Sequence, residues 1–315
     1  MRAVVVNEFE TDPVVAEVPA PEPAANELRI RVHASSVNGF DLSVVSGAVK
    51  AWMPYELPIT LGRDYAGVVE SVGTAVTRYA VGDEVFGFVF RDVLHDGTWA
   101  DFVVVPEDML VSRKPAGVSF EDAGALGVAG AAALQAVVGV APSSGDRVLI
   151  VGATGGVGGF AVQLAAAQGA HVVATAAWED EQRVRDLGSA ETVDFTERDV
   201  AAVVRERYPE GVDALIDLVT PADRFSPLGE LVRSGGRVAT TTGAADADAL
   251  AKRGITTANV WVVADPETLG RLGEHAERGE LKVMFEEIFP LEQAGAALAA
   301  FSRGTHGKIG IAVAS

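Results

Sequence analysis

The stretch RVLIVGATGGVGGFAVQLAAAQGA, residues 147–170, decides the fold. It begins with apolar, β-branched residues typical of a buried strand, passes through a glycine cluster, and continues as an Ala-rich helical pattern that Gly169 ends. Glycines at such a junction let the backbone turn tightly and approach a pyrophosphate, and the first helical turn offers it free N–H groups. The stretch therefore predicts a dinucleotide-binding turn, and a turn needed only for packing is the less favoured alternative. The predicted cofactor contacts in this turn are Thr154, Gly155, Gly156, Val157 and Gly158.

Strands and helices alternate after this turn, because the apolar runs HVVATA, VDALIDLV and RVATTTG are separated by short helical segments. Such alternation builds βαβ units, so we predict an α/β domain with a doubly wound parallel sheet. Before about residue 115 the sequence pattern differs, because short Val-rich runs are bounded by Gly, Pro, Asp or Asn. Short strands separated by turn residues predict a second, β-rich and largely antiparallel domain.

The end of the second strand bears on which dinucleotide binds. NAD-selective sites place an acid there to hold the ribose 2′-hydroxyl, whereas this strand ends in the neutral residues 174–177. Thr175 lies in that segment. Arg183 and Arg185 follow closely enough to meet a 2′-phosphate, although either can also be a solvated helix residue. The pattern therefore predicts NADP(H) as the cofactor. Three residues at the carboxyl ends of later strands are further candidate contacts: Val219, Thr242 and Gly243.

Composition excludes several classes of protein. The 315 residues include 25 Lys and Arg against 44 Asp and Glu, a net charge of −19, which disfavours binding to nucleic acid or to an anionic membrane surface. The chain has no cysteine, and its five histidines show no ligand spacing, so we predict no metal site. We see no signal-peptide pattern and no apolar stretch approaching about 20 residues, and therefore expect a cytoplasmic protein.

Further segments occur in a fixed order around the glycine turn: ASSVNGFD (34–41), LGRDYAGVVESVG (61–73), VGDEVFG (81–87) and FPLEQAGAALAAFSRGTHGKIGIAV (289–313). With GATGGVGGFAVQLA, they resemble the medium-chain dehydrogenase/reductase superfamily, and within it the zinc-free quinone oxidoreductase (zeta-crystallin-like) branch. The resemblance implies a GroES-like, β-rich catalytic domain over residues 1–117 and a Rossmann dinucleotide-binding domain over 118–264. Residues 265–315 are then expected to return to the catalytic domain.

The resemblance also assigns residues to the substrate site. Zinc-dependent members of the superfamily carry Cys at the position of Asn38 and His at that of Arg63, so zinc chemistry is not expected here. Asn38 is then expected to face the substrate and orient a carbonyl oxygen, although Asn-Gly also favours a plain turn. Tyr55 either lines the substrate pocket or packs as a surface tyrosine. We expect Arg63 and Asp64 to form a structural ion pair or turn network. Asp41 is expected either to cap a helix, which is favoured, or to support the Asn38 loop.

These expectations lead to three functional hypotheses. The first is an NADPH-dependent, zinc-independent oxidoreductase that reduces a quinone or an α,β-unsaturated carbonyl, with the cofactor carrying the hydride. The second is an enoyl-thioester or biosynthetic tailoring reductase, which the scarcity of basic groups for a carrier phosphate weakens. The third lies outside enzymology: an NADPH-binding structural or regulatory protein without turnover.

An apolar, β-branched run at residues 256–263 is predicted to form an edge of the parallel sheet. A long exposed edge strand invites pairing unless it is covered. The resemblance implies that it pairs with its twin across a two-fold axis, so we expect a homodimer with Trp261 and Val263 at or near the interface.

Overall fold

The computed structural model describes residues 1–262 and 266–314. The chain divides into two compact units. The first, here the β-rich unit, combines Met1–Ala129 with Val263–Ser315, and the second, here the parallel-sheet unit, is Gly130–Val262. The first division falls inside a long helix, Phe120–Val140, rather than ahead of it at residue 118, where the sequence pattern suggested a boundary.

Secondary structure covers most of both units. The strands are β1 (Arg2–Val6), β2 (Val14–Glu17), β3 (Glu27–Ser36), β4 (Ile59–Thr60), β5 (Asp64–Val72), β6 (Glu84–Phe88), β7 (Phe102–Pro106), β8 (Val111–Arg113), β9 (Arg147–Val151), β10 (His171–Thr175), β11 (Glu191–Val193), β12 (Val212–Asp217), β13 (Val232–Thr240), β14 (Thr256–Asn259), β15 (Phe285–Pro290) and β16 (Lys308–Ala312). The helices are α1 (Gly39–Val45), α2 (Phe120–Val140), α3 (Gly156–Ala167), α4 (Glu181–Asp186), α5 (Val200–Arg207), α6 (Ser226–Gly229), α7 (Ala247–Ala251), α8 (Pro266–Glu277) and α9 (Ala294–Ser302). Short 3₁₀ helices cover Ala48–Ala51, Trp178–Asp180, Ala222–Arg224 and Leu291–Gln293.

The β-rich unit is built on β3, which pairs antiparallel with β5, β7 and β16. One sheet runs β15-β16-β3-β5-β6-β8 with β7 also on β3, and a second runs β2-β1-β4. Leu28, Ile30 and Val32 alternate with more exposed residues along β3 and are fully buried, which is the period-two pattern of a strand with one face in the core. Strand β16 comes from the C-terminal segment, which groups with this unit.

The parallel-sheet unit has the strand order β11-β10-β9-β12-β13-β14, with every neighbouring pair parallel. The central strand β9 is buried from Val148 to Val151, as expected for a strand covered on both faces. The chain proceeds outward from β9 to β10 and β11, then returns to β12 on its other side, so a topological switch point lies between β9 and β12. The doubly wound α/β architecture and the β-rich domain are both confirmed.

Helix α2 corrects one expectation from the sequence. Its 21 residues are long and apolar enough to cross a membrane by length and composition alone. The acids Glu121 and Asp122 lie in its first turn, which leaves the rest of the helix without charge. In the structure 78% of its most apolar window is buried, as in the core helices of many proteins that contain no membrane span.

Candidate functional site

The glycine turn joins β9 to α3 at the switch point. Gly152 has φ +85°, a conformation that favours glycine, and Gly155 is the N-cap of α3. A Cβ on Gly158 would lie 2.1 Å from the carbonyl oxygen of Gly152, so only glycine lets the helix begin this close to the turn. A Cβ on Gly155 would meet nothing closer than 3.8 Å, so the mouth of the turn is open.

Thr175 supports this turn from the neighbouring strand. It is the last residue of β10 and is 3% exposed, and its Oγ1 accepts the Gly152 backbone N–H at 3.0 Å. Since that hydroxyl oxygen is engaged within the protein, Thr175 fixes the position of the turn. The structure thus places this predicted residue directly beside the glycine turn.

The end of β12 presents a buried acid that the sequence analysis missed. Oδ1 of Asp217 accepts hydrogen bonds from the backbone N–H groups of Val219 and Thr220 and from the Thr220 hydroxyl, at 2.9–3.3 Å. Its Oδ2 is buried and has no partner among the described residues. Burial raises the pKa of Asp217, against the hydrogen bonds that lower it. An acid that ends an apolar strand, as in VDALID, was the available signal.

The predicted contacts Val219, Thr242 and Gly243 lie along the same carboxyl edge. Val219 is 60% exposed, and its Cγ1 would be 2.7 Å from a Cβ placed on Gly152, so it packs over the turn. Thr242 donates its hydroxyl to the carbonyl oxygen of Thr220 at 2.8 Å, and Gly243 has φ +67°. The structure therefore brings these residues together with the glycine turn at one edge of the sheet.

Arg183 and its neighbour Arg185 differ in what they bind. Arg185 is held by Glu181 at 2.8 Å and by the carbonyl oxygen of Ala190 at 2.9 Å. Arg183 lies 3.9 Å from Asp180 through Nη1, while its Nη2 is buried and has no hydrogen-bond partner among the described residues. An unmet guanidinium donor in the helix after β10 suits an anionic ligand group.

The parallel-sheet unit as described fits a dinucleotide. Helix α3 has 12 residues and begins directly after Gly155, with no side chain capping its N-terminus. The first N–H groups of such a helix can bind a phosphate. A cavity of about 750 Å³ opens at the carboxyl ends of β9 and β12, lined in part by Val151, Phe195, Thr220, Asp223 and Arg224. Ligands of open α/β sheets bind in this position, outside the carboxyl ends of the strands at the switch point.

In the β-rich unit, Asn38 lies between β3 and α1 and is the N-cap of that helix. Its side chain is held on both sides, because Nδ2 donates to Oδ2 of Asp64 at 2.9 Å and Oδ1 accepts from Nζ of Lys308 at 3.1 Å. Asn38 is thus both the turn residue and the centre of a buried polar group. Lys308 was missed from the sequence, where it lies in the GKIGIAV segment.

The expected ion pair between Arg63 and Asp64 is not formed. Arg63 lies just before β5, of which Asp64 is the first residue, and the two side chains have different partners. Asp64 is fully buried and pairs with Lys308 at 3.6 Å, and it also accepts from the Ser36 hydroxyl at 2.5 Å. Arg63 instead stacks on the ring of Phe40 at 3.6 Å, and burial lowers its pKa.

Asn38 and not Asp41 is the N-cap of α1, and Asp41 is the third residue of the helix, where its carboxylate completes a capping box with Asn38. The two carboxylate oxygens accept the backbone N–H groups of Asn38 at 2.8 Å and Gly62 at 3.1 Å, so Asp41 fixes the loop that carries Asn38. Its burial raises its pKa to about 7, although both backbone hydrogen bonds act to lower it. The helix simply begins earlier than the sequence pattern suggested.

Tyr55 is 40% exposed, and its ring meets Phe9 edge-on at 4.8 Å. This is the arrangement of a packed surface tyrosine, the alternative weighed for this residue. The described residues of the β-rich unit bring Asn38, Asp41, Asp64 and Lys308 together and leave Tyr55 in a separate aromatic contact.

The residues at the positions of the superfamily's zinc ligands do not fit zinc. The Asn38 amide oxygen faces the ammonium of Lys308, which occupies the side from which a cation would be bound. Arg63 is itself cationic and is packed against an aromatic ring. Neither cationic side chain is a metal ligand, and the described residues contain no group of three or more His, Cys, Asp or Glu that could hold a metal ion.

Comparison with known proteins matches both parts of the chain. A family model described as "Alcohol dehydrogenase GroES-like domain" matches residues 24–116, and one described as "Zinc-binding dehydrogenase" matches residues 156–269. The chain is similar to the "Chloroplast envelope quinone oxidoreductase homolog" of Arabidopsis thaliana, with 30% identity over 293 residues. That alignment covers 88% of this chain and 87% of the relative.

Two solved structures share the whole fold. The quinone oxidoreductase from Coxiella burnetii superposes with a TM-score of 0.90 at 28% identity, covering 100% of this chain and 99% of that one. A structure described as an NAD-dependent alcohol dehydrogenase has a TM-score of 0.89 at 30% identity and covers both chains completely. These three proteins are all described as oxidoreductases or dehydrogenases, and their alignments span the segments whose motifs resemble the superfamily. The chain therefore belongs to the medium-chain dehydrogenase/reductase superfamily, in its quinone oxidoreductase branch.

Proposed function

We propose that this protein is an NADPH-dependent, zinc-independent oxidoreductase that reduces a quinone or an α,β-unsaturated carbonyl compound. The observation that carries the proposal is the amide of Asn38, held between Asp64 and Lys308 at the position where zinc-dependent relatives bind metal. When bound, the nicotinamide supplies the hydride. The protein then has to bind the acceptor, exclude water and stabilise the charge that develops on its oxygen.

Asn38 provides the stabilising donor. One hydrogen of its Nδ2 is committed to Asp64, which leaves the second hydrogen for the acceptor's oxygen. Hydride addition makes that oxygen a phenolate or an enolate, so a fixed donor binds the charged product of this step more strongly than the ground state. An amide does not transfer a proton at neutral pH, so water supplies the proton that completes the two-electron reduction.

Arg183 supports NADP(H) over NAD(H). The unmet Nη2 of this residue suits a 2′-phosphate, and the neutral end of β10 offers no carboxylate in the strand itself to hold a 2′-hydroxyl. Asp180 is buried, and its Oδ1 lies 3.9 Å from Nη1 of Arg183. Its negative charge would act against the binding of a phosphate at Arg183. Because a structural neighbour is described as NAD-dependent, both cofactors have to be compared directly.

We further propose that the protein is a homodimer. Strand β14 is the edge of the parallel sheet in the described part of the chain, and Trp261, which follows it, is 71% exposed. An open edge next to a large exposed apolar ring is a surface that a second copy can cover. Val263, the other residue expected at this interface, lies outside the described residues.

The test is oxidation of NADPH by the purified protein with a small-quinone panel and an enone panel, before and after chelator treatment, together with metal analysis. We expect turnover with at least one acceptor, unchanged by the chelator. Turnover of a coenzyme A enoyl thioester but of neither panel would favour the thioester-reductase alternative. Tight NADPH binding without turnover of any acceptor would favour a structural or regulatory role, and one tightly held zinc per chain with alcohol oxidation would overturn the proposal.

A further inference from the structure

A lysine is buried beside Asn38 and paired with a carboxylate. The Lys308 side chain is 4% exposed, and Nζ donates to Oδ1 of Asn38 at 3.1 Å and to the backbone oxygen of Val37 at 3.2 Å. Its counter-charge is Asp64, which is fully buried and 3.6 Å away. Burial lowers the pKa of Lys308, and the charges of Asp64 and Asp41 act against that shift. Lysines are almost never this buried unless they are paired, so Asp64 is what favours the cation in this site.

The charges on either side of Asn38 decide which way its amide points. The ammonium of Lys308 can only donate hydrogen bonds, and the carboxylate of Asp64 can only accept them. With the amide as observed, oxygen meets donor and nitrogen meets acceptor. Rotating the amide by half a turn would set NH₂ against the ammonium and oxygen against the carboxylate, so one orientation alone is stable.

Asp64 is fixed independently of Asn38. The Ser36 hydroxyl donates to its Oδ2 at 2.5 Å, and the backbone N–H of Val128 donates to its Oδ1 at 2.7 Å. Lys308 is fixed by its place in β16, whose residue Gly310 pairs with Ser36 of β3. The amide is therefore held between two charges that the fold positions separately.

We propose that Lys308 is a positioning residue that, through Asn38, keeps one amide hydrogen aimed at the acceptor's oxygen. The catalytic part of this inference rests on the proposed function, while the orientation of the amide does not. Lys308 adds no net charge to the site, because Asp64 balances it. Its effect is to remove the alternative amide orientation, in which the oxygen would face and repel a developing anion.

Lys114 is a matched control. Its side chain is also nearly buried, at 7% exposure, and its Nζ pairs with Glu84 at 3.0 Å and donates to the Val118 carbonyl oxygen. It shares no partner with Asn38. The Lys114 variant therefore shows what the loss of a nearly buried, paired lysine does when that lysine does not contact Asn38.

The kinetic test combines Lys308→Met, Lys114→Met and Asn38→Ala, with quinone and NADPH as substrates. We expect Lys308→Met to lower kcat about ten- to a hundredfold, with the Kd for NADPH within about twofold of wild type, and Lys114→Met to leave kcat within about twofold. In the Asn38→Ala background, Lys308→Met should have less than about a twofold further effect, because its influence passes through the amide. If Lys308→Met fails to fold, the double variant Asp64→Asn with Lys308→Met removes both buried charges and should show the same fall in kcat.

Amide orientation is read without turnover by nuclear magnetic resonance. The chain has four asparagines, at positions 7, 26, 38 and 259, so selective side-chain ¹⁵N labelling gives few signals, and Asn38→Ala assigns the relevant pair. We expect the two Asn38 amide protons to be well separated in wild type and in Lys114→Met, and to exchange or shift together in Lys308→Met. An unchanged pair in Lys308→Met, or independent kinetic effects of the two substitutions, would overturn the proposal. A wild type that is inactive on every acceptor but shows the expected amide signals would refute the proposed function and the catalytic role of Lys308 while leaving the amide orientation confirmed.

Discussion

The hydroxyl oxygen of Thr175 accepts the backbone N–H of Gly152 at 3.0 Å, so the last residue of β10 holds the first residue of the glycine turn. Replacing Thr175 with valine keeps the shape of the side chain and leaves that amide without its acceptor. We expect a loss of about 1 kcal/mol in the free energy of unfolding and about a five- to tenfold weaker Kd for NADPH. Urea denaturation and calorimetry measure the two quantities.

Thr257 provides the control for this prediction. Its Oγ1 is buried and has no hydrogen-bond partner among the described residues. Thr257→Val therefore removes an unmet polar group and should leave the stability equal or higher, with cofactor binding unchanged. Equal losses in the two valine variants would mean that the hydrogen bond to Gly152 is not the cause.

Gly158→Ala tests how closely α3 approaches the turn. The new Cβ would lie 2.1 Å from the Gly152 carbonyl oxygen and 2.6 Å from Cα of Ala153, both backbone atoms that cannot move aside cheaply. We expect a loss of about 2 kcal/mol or more in stability and a marked loss of NADPH binding. The adjacent Gly159→Ala meets only Leu187 at 3.4 Å, so it should be neutral or stabilise the helix by about 0.5–1 kcal/mol.

Arg183→Ala tests the choice of cofactor. If the unmet Nη2 binds a 2′-phosphate, its loss costs about 1.5–3 kcal/mol, so NADPH should bind roughly ten- to a hundredfold more weakly while NADH binding stays the same. Arg185→Ala, which removes a guanidinium already held by Glu181, should leave both constants unchanged. Calorimetric titration of wild type with NADPH and NADH checks the premise, and equal or tighter NADH binding contradicts it.

The buried carboxyl of Asp41 predicts how stability depends on pH. Burial raises its pKa from 3.8 to about 7, so the folded protein binds this proton more tightly than the unfolded chain does. Its stabilising contribution is therefore fully present below the unfolded value and is lost as the pH rises through about 7. We expect Asp41 to lower the free energy of unfolding by about 2 kcal/mol between about pH 5.5 and pH 8.

Urea denaturation across that range measures this slope in wild type and in Asp41→Asn, which does not titrate. The variant should be less stable overall, since it keeps only one of two acceptor oxygens, and its slope should be flatter. His33 acts in the opposite direction, because burial lowers its pKa and its contribution grows as the pH rises. His33→Gln should therefore steepen the fall, and an Asp41→Asn slope equal to that of wild type would contradict the assignment.

Trp261→Glu tests the proposed dimer. Placing a carboxylate beside the open edge of β14 should repel a second copy, so light scattering should show a dimer for wild type and a monomer for the variant. Trp178→Glu is the control, because Trp178 is equally exposed, at 76% against 71%, and lies at the other end of the sheet. A wild type that is monomeric at micromolar concentration rules the dimer out. Val260 is unsuited to a proline test of the interface, since its N–H donates to Thr240 within the subunit.

The fold was accessible from the sequence because its signals are local. The strand, glycines and helix of residues 147–170 are contiguous, and each βαβ unit repeats that local pattern. Their order along the chain then fixes which strands neighbour β9. The expectation that no apolar stretch approaches about 20 residues was wrong for helix α2, whose only charges, Glu121 and Asp122, lie in its first turn.

The polar cluster at Asn38 was not accessible in this way. Lys308 and Asn38 are 270 positions apart, and they meet only because β16 pairs with β3 in one particular register. The sequence around either residue contains no local pattern that predicts contact with the other. For the same reason the sequence suggested an ion pair or turn network of Asp64 with its neighbour Arg63, whereas Arg63 packs on Phe40 and Asp64 pairs with Lys308.

The order in which the chain is synthesised adds a consequence of the split β-rich unit. Residues 130–262 are contiguous, so the parallel sheet can be completed before the ribosome reaches β16. Asp64 is made long before Lys308, so its carboxylate has no lysine counter-charge until β16 has been added. A chain that stops before β16 therefore lacks both the strand and the counter-charge that complete the β-rich unit, and such a chain remains open to proteases.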